Sequence, residues 1–294
     1  MPAAVLHDVL SAAARRLRDA GLDGADAAAD VDVLARHVLG WDRGRLLANR
    51  RDGVPAGFLE RFTDLIDRRA ERVPVAYLTG SREFYGLEFE VTPDVLIPRP
   101  ETELAVEAAL EALAAPGASG HAVDVGTGSG CIAIAMAVTR PDVAVVAVDR
   151  SRAALAVARR NARRHRVGGR VTLVAGDLLT AFAPRRLVDV VVSNPPYVPD
   201  DSADVAPDVA RHEPASALYA GPDGLDVVRR LVADAAPLLR PGGRLVVEIG
   251  IGQADAVAAA AAANRASWTG VTFRPDLQGI ARIAVLSRTH GGSR

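Results

Sequence analysis

The spacing of apolar residues changes along the chain and divides the sequence into three parts. From Val5 to about Arg72 apolar residues recur every three to four positions between Gly and Pro interruptions, which predicts several short helices packed as a small bundle. From Phe84 to Val95 apolar and polar residues alternate, which predicts a hairpin or strand pair. Beyond Pro98 short apolar runs alternate with helical patterns, as is typical of a mostly parallel sheet covered on both faces.

The third part carries the predicted strands and helices of this sheet. The predicted strands span residues 122–125, 144–148, 171–174, 188–192, 244–249, 271–274 and 281–286. The predicted helices span residues 101–113, 151–165, 226–239 and 253–264, with another beginning near residue 131. We therefore expect a helical bundle over residues 1–75, a hairpin linker over residues 76–97 and an α/β domain over residues 98–294.

Composition narrows the functional classes. The 294 residues are 49% hydrophobic and 24% charged, as in globular proteins. The 35 basic and 36 acidic side chains leave a net charge of −1, which argues against binding nucleic acid by bulk electrostatics. With one cysteine, Cys131, no internal disulfide can form, and neither a signal peptide nor an apolar window of ~18 residues is evident. We expect a cytoplasmic protein that does not enter a membrane.

A glycine-rich loop joins the first predicted strand to a helix. Its residues, which allow a tight turn and close approach of a ligand to backbone N–H groups, are Gly126, Thr127, Gly128, Ser129 and Gly130. The loop also fits a dinucleotide-binding pattern, but the offset is wrong, because Cys131 takes the place of the third small residue. The next two strands end in Asp149 and in Asp177-Leu178. Carboxyl ends of parallel strands share one edge, so the three places together predict a site for an adenosine-containing cofactor.

The fourth predicted strand runs into a stiff polar loop composed of Asn194, Pro195, Pro196 and Tyr197. A planar NH₂ group, in an amide or an aminopurine, is a poor nucleophile. The Asn194 side-chain oxygen and the Pro195 carbonyl can each accept one of its N–H bonds, which favours the positive charge that grows on nitrogen as it attacks a methyl sulfonium. Tyr197 can stack on the planar group. The loop predicts methyl transfer to such a nitrogen.

With these motifs the sequence resembles the S-adenosylmethionine-dependent methyltransferases, and within them the protein-(glutamine-N5) methyltransferases that modify class I peptide chain release factors. The resemblance covers nearly the whole chain and is most specific over residues 74–103. It implies a Rossmann-like methyltransferase domain of mostly parallel strands at residues 98–294, joined through a β-hairpin to an N-terminal helical bundle that contacts the release factor. It also implies a monomer that requires no nucleic acid.

The resemblance also assigns roles to the residues of the motifs. Gly126, Thr127, Gly128, Ser129 and Gly130 would wrap the methionine and ribose part of S-adenosyl-L-methionine, while Asp149 binds the ribose and Asp177 with Leu178 lies against adenine. Arg99 to Thr102 would border the cofactor. Asn194, Pro195, Pro196 and Tyr197 would hold the glutamine of a Gly-Gly-Gln tripeptide, with Asn194 also next to the cofactor.

Three alternatives share part of the pattern. A methyltransferase acting on a ribosomal-protein glutamine would carry the same loop and much of the same upstream stretch. An adenine-N6 methyltransferase could use the loop on a flipped base, but it would need a phosphate-binding surface, for which the run from Arg159 to Arg166 is the best candidate. A nucleotide-binding oxidoreductase would explain the glycine loop only. The six histidines show no paired spacing, so no metal site is expected.

Overall fold

The computed structural model describes residues 5–113, 119–183 and 188–289. The chain divides into two compact units, one of Met1–Ser81 with Ala206–His212 and the other of Arg82–Val205 with Glu213–Arg294. These boundaries differ from the predicted parts 1–75, 76–97 and 98–294, because the hairpin falls mostly in the second unit and a short later segment falls in the first.

The first unit is helical. Its helices are α1 (Leu6–Asp19), α2 (Gly24–Leu39), α3 (Arg43–Ala48), α4 (Phe58–Ala70), α5 (Val75–Thr79) and the later α9 (Pro207–His212). The side chains of Asp23 and Asp42 cap α2 and α3 by accepting backbone N–H bonds, and Gly40 ends α2 in the left-handed conformation. The apolar faces form one core, in which Phe58 and Phe62 stack at 4.7 Å between ring centroids.

Ion pairs connect α9 to the other helices of the first unit. Arg69 is 9% exposed, and its guanidinium donates from Nη1 to Asp208 and from Nε to Asp30, both at 2.7 Å. Arg72 lies 3.6 Å from the other Asp208 oxygen. Since Asp208 lies in α9, the buried Arg69 carries two carboxylate partners from distant parts of the sequence.

The hairpin consists of β1 (Ser81–Phe84) and β2 (Leu87–Glu90), which form a separate two-stranded sheet. Tyr85 and Gly86 between the strands both have positive φ, as a two-residue hairpin turn requires. The predicted alternation over residues 84–95 was wrong in its placement. The turn occurs at its beginning, so β1 lies before the stretch except for Phe84, and residues 91–95 lie outside the strands.

The second unit is built on a seven-stranded sheet in the order β5-β4-β3-β6-β7-β9-β8. Its strands are β3 (Gly120–Val125), β4 (Val143–Asp149), β5 (Val171–Ala175), β6 (Val188–Ser193), β7 (Leu239–Glu248), β8 (Trp268–Pro275) and β9 (Ala281–Arg288). The pairs from β5 through to β7 are parallel, while β9 is antiparallel to both β7 and β8. The predicted mostly parallel sheet is confirmed.

Along the chain, helices alternate with the strands of the second unit. They are α6 (Glu103–Ala112), α7 (Cys131–Thr139), α8 (Arg152–Arg164), α10 (Asp226–Asp234) and α11 (Ala254–Ala263), with short 3-10 turns at Pro100–Thr102 and Ala215–Ala217. The predicted helix over residues 226–239 was too long at its C-terminus, and the predicted strand over 244–249 began too late. Leu239 pairs with Val188 on β6, so β7 starts there despite the Pro and Gly that follow.

The strand order places the site. From β3 the chain adds β4 and β5 on one side, and β6 then pairs with the other side of β3. Ligands of open α/β sheets bind outside the carboxyl ends of the strands at such a reversal. Ser193 at the end of β6 donates its hydroxyl proton to the Val125 carbonyl at the end of β3 (2.7 Å), which fixes these two strand ends against each other. In the described ranges no helix is both long enough and apolar enough to cross a membrane.

Candidate active site

A cavity of about 340 Å³ opens in the second unit at the carboxyl ends of the parallel strands. The predicted site residues that line it are Gly126, Thr127, Gly128, Ser129, Asp149, Asp177, Leu178, Asn194 and Pro196. The structure thus brings the glycine loop, both acids and the polar loop around one cavity. Gly130, Pro195 and Tyr197 lie outside this set of lining residues.

Glycine is required in the loop for two different structural reasons. Gly126 and Gly128 have positive φ, and a Cβ at either position would enter open space next to the cavity. Gly130 also has positive φ, but a Cβ there would lie 2.9 Å from Ile134 Cδ1 and 3.2 Å from Ala158 Cβ. The first two therefore leave backbone exposed to a ligand, and Gly130 allows the loop to pack against α7 and α8.

Asp149 holds the loop from the neighbouring strand. One carboxylate oxygen accepts from Gly128 N–H at 2.9 Å, and the other accepts from Ser151 N–H at 2.8 Å, next to the start of α8. A carboxylate has about four acceptor positions, so both oxygens keep capacity for ligand hydroxyls. The side chain lines the cavity.

A buried acid below the loop was missed by sequence reasoning. Asp124 is fully buried and accepts from Thr127 Oγ1 (2.6 Å) and from Ala133 N–H (3.2 Å), which ties the loop to α7. Burial raises its pKa to about 7. Burial also raises the pKa of the neighbouring Cys131 thiol to about 12, so this thiol stays protonated at neutral pH.

Asp177 has a basic partner that the sequence pattern did not reveal. Its carboxylate accepts from Arg230 Nη2 on α10 at 2.6 Å, and this hydrogen bond lowers the pKa of Asp177. Both residues line the cavity. The following residue, Leu178, has a φ of 49°, a left-handed conformation that is uncommon for a non-glycine residue and that accompanies functional sites. Its partly buried side chain packs against the core cluster that includes Val191 and Leu231.

Asn194 is held by a hydrogen-bond chain. Its Nδ2 donates to Thr102 Oγ1 at 2.9 Å, and the Thr102 hydroxyl donates to Glu248 Oε2 at 2.7 Å. Glu248 ends β7 and is 2% exposed. Of the predicted border 99–102, Thr102 lines the cavity, whereas the Arg99 guanidinium instead pairs with Glu213, a buried acid that also accepts from Ile97 N–H at 3.0 Å.

Tyr197 supports the polar loop from outside the lining set. Its hydroxyl lies 3.4 Å from Glu248 Oε1 and donates to it, while its backbone carbonyl accepts from Gln253 Nε2 at 3.0 Å. Burial raises the pKa of Tyr197 above its usual range. Gly224 is needed nearby, because a Cβ there would lie 2.2 Å from the Tyr197 carbonyl oxygen. Packing on both sides keeps the loop in one conformation.

Two supporting residues left a weak sequence signal. Glu248 directly follows the apolar run 245–247 at the buried end of β7, and Asn161 lies on the buried face of α8. Asn161 is fully buried, donates to the Ser129 carbonyl at 2.9 Å and accepts from Glu90 N–H at 2.8 Å, so it connects the glycine loop with the hairpin. A polar residue on a buried face is the signal that finds both.

Comparison with known proteins decides the family. A family model described as the PrmC N-terminal domain matches residues 8–80, and one described as the methyltransferase small domain matches residues 100–212. A release factor glutamine methyltransferase of Burkholderia pseudomallei is 45% identical over 276 residues, which is 92% of this chain and 94% of that protein. The chain belongs to the release factor glutamine methyltransferases.

Further relatives agree with this family. A release factor glutamine methyltransferase of Moorella thermoacetica is 46% identical and covers 86% of this chain and 88% of its own. A crystal structure of a methyltransferase from Pyrococcus furiosus aligns with a TM-score of 0.51 over 70% of this chain and 91% of that chain, at 18% identity. The latter similarity establishes the fold alone. The predicted family resemblance, methyltransferase fold and S-adenosylmethionine dependence are confirmed, which decides against a nucleotide-binding oxidoreductase.

The cavity of this release factor glutamine methyltransferase fits S-adenosylmethionine, which supplies an electrophilic methyl group when bound. Gly126 and Gly128 leave open space where side chains would otherwise enter the cavity. Asp149 offers carboxylate oxygens at the same wall, and Leu178 offers an aliphatic surface. The carboxylate acceptors and the aliphatic surface therefore suit a ligand with hydroxyls at one end and a flat ring nearby.

Proposed function

We propose that this enzyme transfers the methyl group of S-adenosylmethionine to the side-chain amide nitrogen of the glutamine in the Gly-Gly-Gln motif of class I peptide chain release factors. The names of the Burkholderia and Moorella relatives support this substrate. The structural observation that carries it is the orientation of Asn194: its Nδ2 is engaged by Thr102, which leaves Oδ1 as an acceptor for an amide NH₂ group.

The polar loop binds and orients the glutamine amide. Asn194 Oδ1 accepts a hydrogen bond from one N–H of the glutamine amide, and the Pro195 carbonyl accepts a hydrogen bond from the other. Positive charge grows on the nitrogen as the new C–N bond forms and the bond between the methyl group and the sulfonium sulfur breaks, which leaves a neutral thioether. The two oxygens stabilise this charge on the nitrogen. Pro196 closes the cavity wall, and Tyr197, which lies outside the lining residues, holds the loop through its hydrogen bonds with Glu248 and Gln253. No strong base is required, because the nitrogen becomes acidic only as the bond forms.

The cofactor is held by the opposite wall of the cavity. The loop Gly126, Thr127, Gly128, Ser129 and Gly130 wraps its methionine and ribose part, and Asp149 accepts from the ribose hydroxyls. Asp177 and Leu178 lie against adenine, with Arg230 orienting the Asp177 carboxylate. Leu178 contributes aliphatic packing there.

The first unit contacts the release factor, and the enzyme acts as a cytoplasmic monomer without nucleic acid. The net charge of −1 supports a protein partner. Two arginines of the basic run on α8 are already paired, Arg160 with Glu90 and Arg164 with Glu88. These pairs reduce the charge available to a phosphate backbone.

Mass spectrometry tests the substrate. Purified release factor, adenine-containing DNA and ribosomal proteins are each incubated with the enzyme and S-adenosylmethionine, and Asn194→Ala serves as the control for background. One added methyl group on the Gly-Gly-Gln glutamine is expected. Methylation of adenine or of a ribosomal protein in place of the release factor would overturn the proposed substrate while keeping the chemistry.

A further inference from the structure

Glu248 is a buried acid without a basic partner close enough for an ion pair in the described ranges. It is 2% exposed, and Val246 and Val247 before it on β7 and Ile249 directly after it are fully buried. A carboxylate in such surroundings is costly unless donors satisfy it. The donors present are the hydroxyls of Thr102 at 2.7 Å and Tyr197 at 3.4 Å.

The hydrogen bond to Glu248 fixes the direction in which the Thr102 hydroxyl donates. A hydroxyl has one proton to donate, and ionised Glu248 can only accept. The Thr102 hydroxyl therefore donates its hydrogen bond to Glu248, and its oxygen accepts a hydrogen bond from Asn194 Nδ2 at 2.9 Å. The amide of Asn194 then has one orientation, with Oδ1 left as its acceptor.

We infer that Glu248 is a positioning residue for glutamine methylation, acting through Thr102 to hold the Asn194 amide with its oxygen available to the substrate. This inference rests on the proposed function. With the amide reversed, the NH₂ group of Asn194 would face the NH₂ group of the substrate glutamine. The two donors would repel each other, and the nucleophile would not be oriented. Ionised Glu248 prevents that reversal.

Protonation of Glu248 would allow the hydrogen bonds from Glu248 through Thr102 to Asn194 to reverse their direction. Burial raises its pKa to about 7, with Glu101 adding to the rise and the hydrogen bonds from Thr102 and Tyr197 and the charge of Arg282 opposing it. Tyr197 and Cys131 nearby stay neutral, because burial raises the Tyr197 pKa above its usual range and the Cys131 thiol pKa to about 12. Asp124, whose pKa is also about 7, bonds to Thr127 and Ala133 and not to Glu248, Thr102 or Asn194. A protonated Glu248 can donate to Thr102, which then can donate to Asn194 Oδ1. The carboxylate form is the active one, so turnover should rise with pH through about 7.

Near-isosteric substitutions test the relay. Glu248→Gln keeps the size but offers Thr102 either an N–H donor or a carbonyl acceptor, so it no longer fixes the direction of the Thr102 hydroxyl. Thr102→Val removes the hydroxyl. For each we expect turnover on release factor to fall about tenfold or more, with S-adenosylmethionine affinity and Tm close to wild type. Thr102→Ser, which restores a hydroxyl, should recover turnover relative to Thr102→Val. Glu107→Gln, the same change at an exposed position on α6, is the control and should keep the wild-type rate.

The pH profile separates positioning from structural support. The wild-type rate should rise between about pH 6 and pH 8, and Glu248→Gln should lack this rise. Wild-type turnover and pH dependence in Glu248→Gln would overturn the relay, and so would a loss matched by a lower Tm in both this variant and Thr102→Val. If the wild-type enzyme leaves the release factor unmethylated, the proposed function itself fails and the relay falls with it.

Discussion

The carboxylate of Asp149, at the end of β4, accepts a hydrogen bond from the backbone N–H of Gly128 at 2.9 Å. The acid that the sequence suggests as a ribose ligand is therefore also part of the support of the glycine loop on the neighbouring strand. Its second oxygen accepts from Ser151 N–H, so one side chain fixes the loop and the start of the next helix together.

Asp149→Ala should weaken S-adenosylmethionine binding by about tenfold to a hundredfold, because it would remove the proposed charged hydrogen bonds to the ribose and the observed bond to Gly128 in the loop. Calorimetric titration with S-adenosylmethionine measures the change. Asp255→Ala removes the same charge from an exposed position on α11 and serves as the control. An unchanged dissociation constant in Asp149→Ala would count against the ribose assignment.

Asn194→Ala should lower turnover by roughly 10²-fold or more, the scale for losing a hydrogen-bond partner used in the transition state. Affinity for S-adenosylmethionine should change less, since the glycine loop and Asp149 remain. Single-turnover methylation of release factor and cofactor titration together measure both effects. Asn264→Ala, which removes an amide at the end of α11, is the control. The role of Asn194 is refuted by a rate near that of the wild type.

Gly130→Ala should destabilise the second unit by about 2–4 kcal/mol, because the left-handed backbone disfavours a side chain and the new Cβ would overlap Ile134 and Ala158. Gly252→Ala is the matched control: its φ is 80°, close to the 84° of Gly130, but a Cβ there meets nothing within 4 Å. Urea unfolding of both variants isolates the packing contribution. Equal losses in the two would show that backbone strain alone accounts for the effect.

Local sequence patterns predict most of the sheet. The apolar run that forms β6 is buried on both faces, so residues 188–192 indicate a strand without further information. The start of β7 could not be predicted in this way. Its Pro241, Gly242 and Gly243 are typical of a turn, and the strand extends back to Leu239 because β6 pairs with it there.

In the candidate site, too, some contacts could be predicted from the sequence and others could not. Asn194 and Asp149 each follow a strand directly, and the carboxyl ends of parallel strands meet, so sequence order alone predicts that they are neighbours. Glu248 contacts Thr102 across 146 residues, and Arg230 contacts Asp177 across 53. Such pairs depend on how helices and strands pack, which no local pattern encodes.

The polypeptide passes from the first unit to the second after Ser81, returns at Ala206 and leaves again after His212. A single cut of the backbone therefore cannot yield the two units as separate pieces, since a fragment starting at Arg82 takes α9 with it. A fragment ending at Ser81 loses Asp208 and leaves Arg69 with Asp30 as its remaining partner among these carboxylates. Exchange of the helical unit between relatives requires two grafts, residues 1–81 and 206–212, made together.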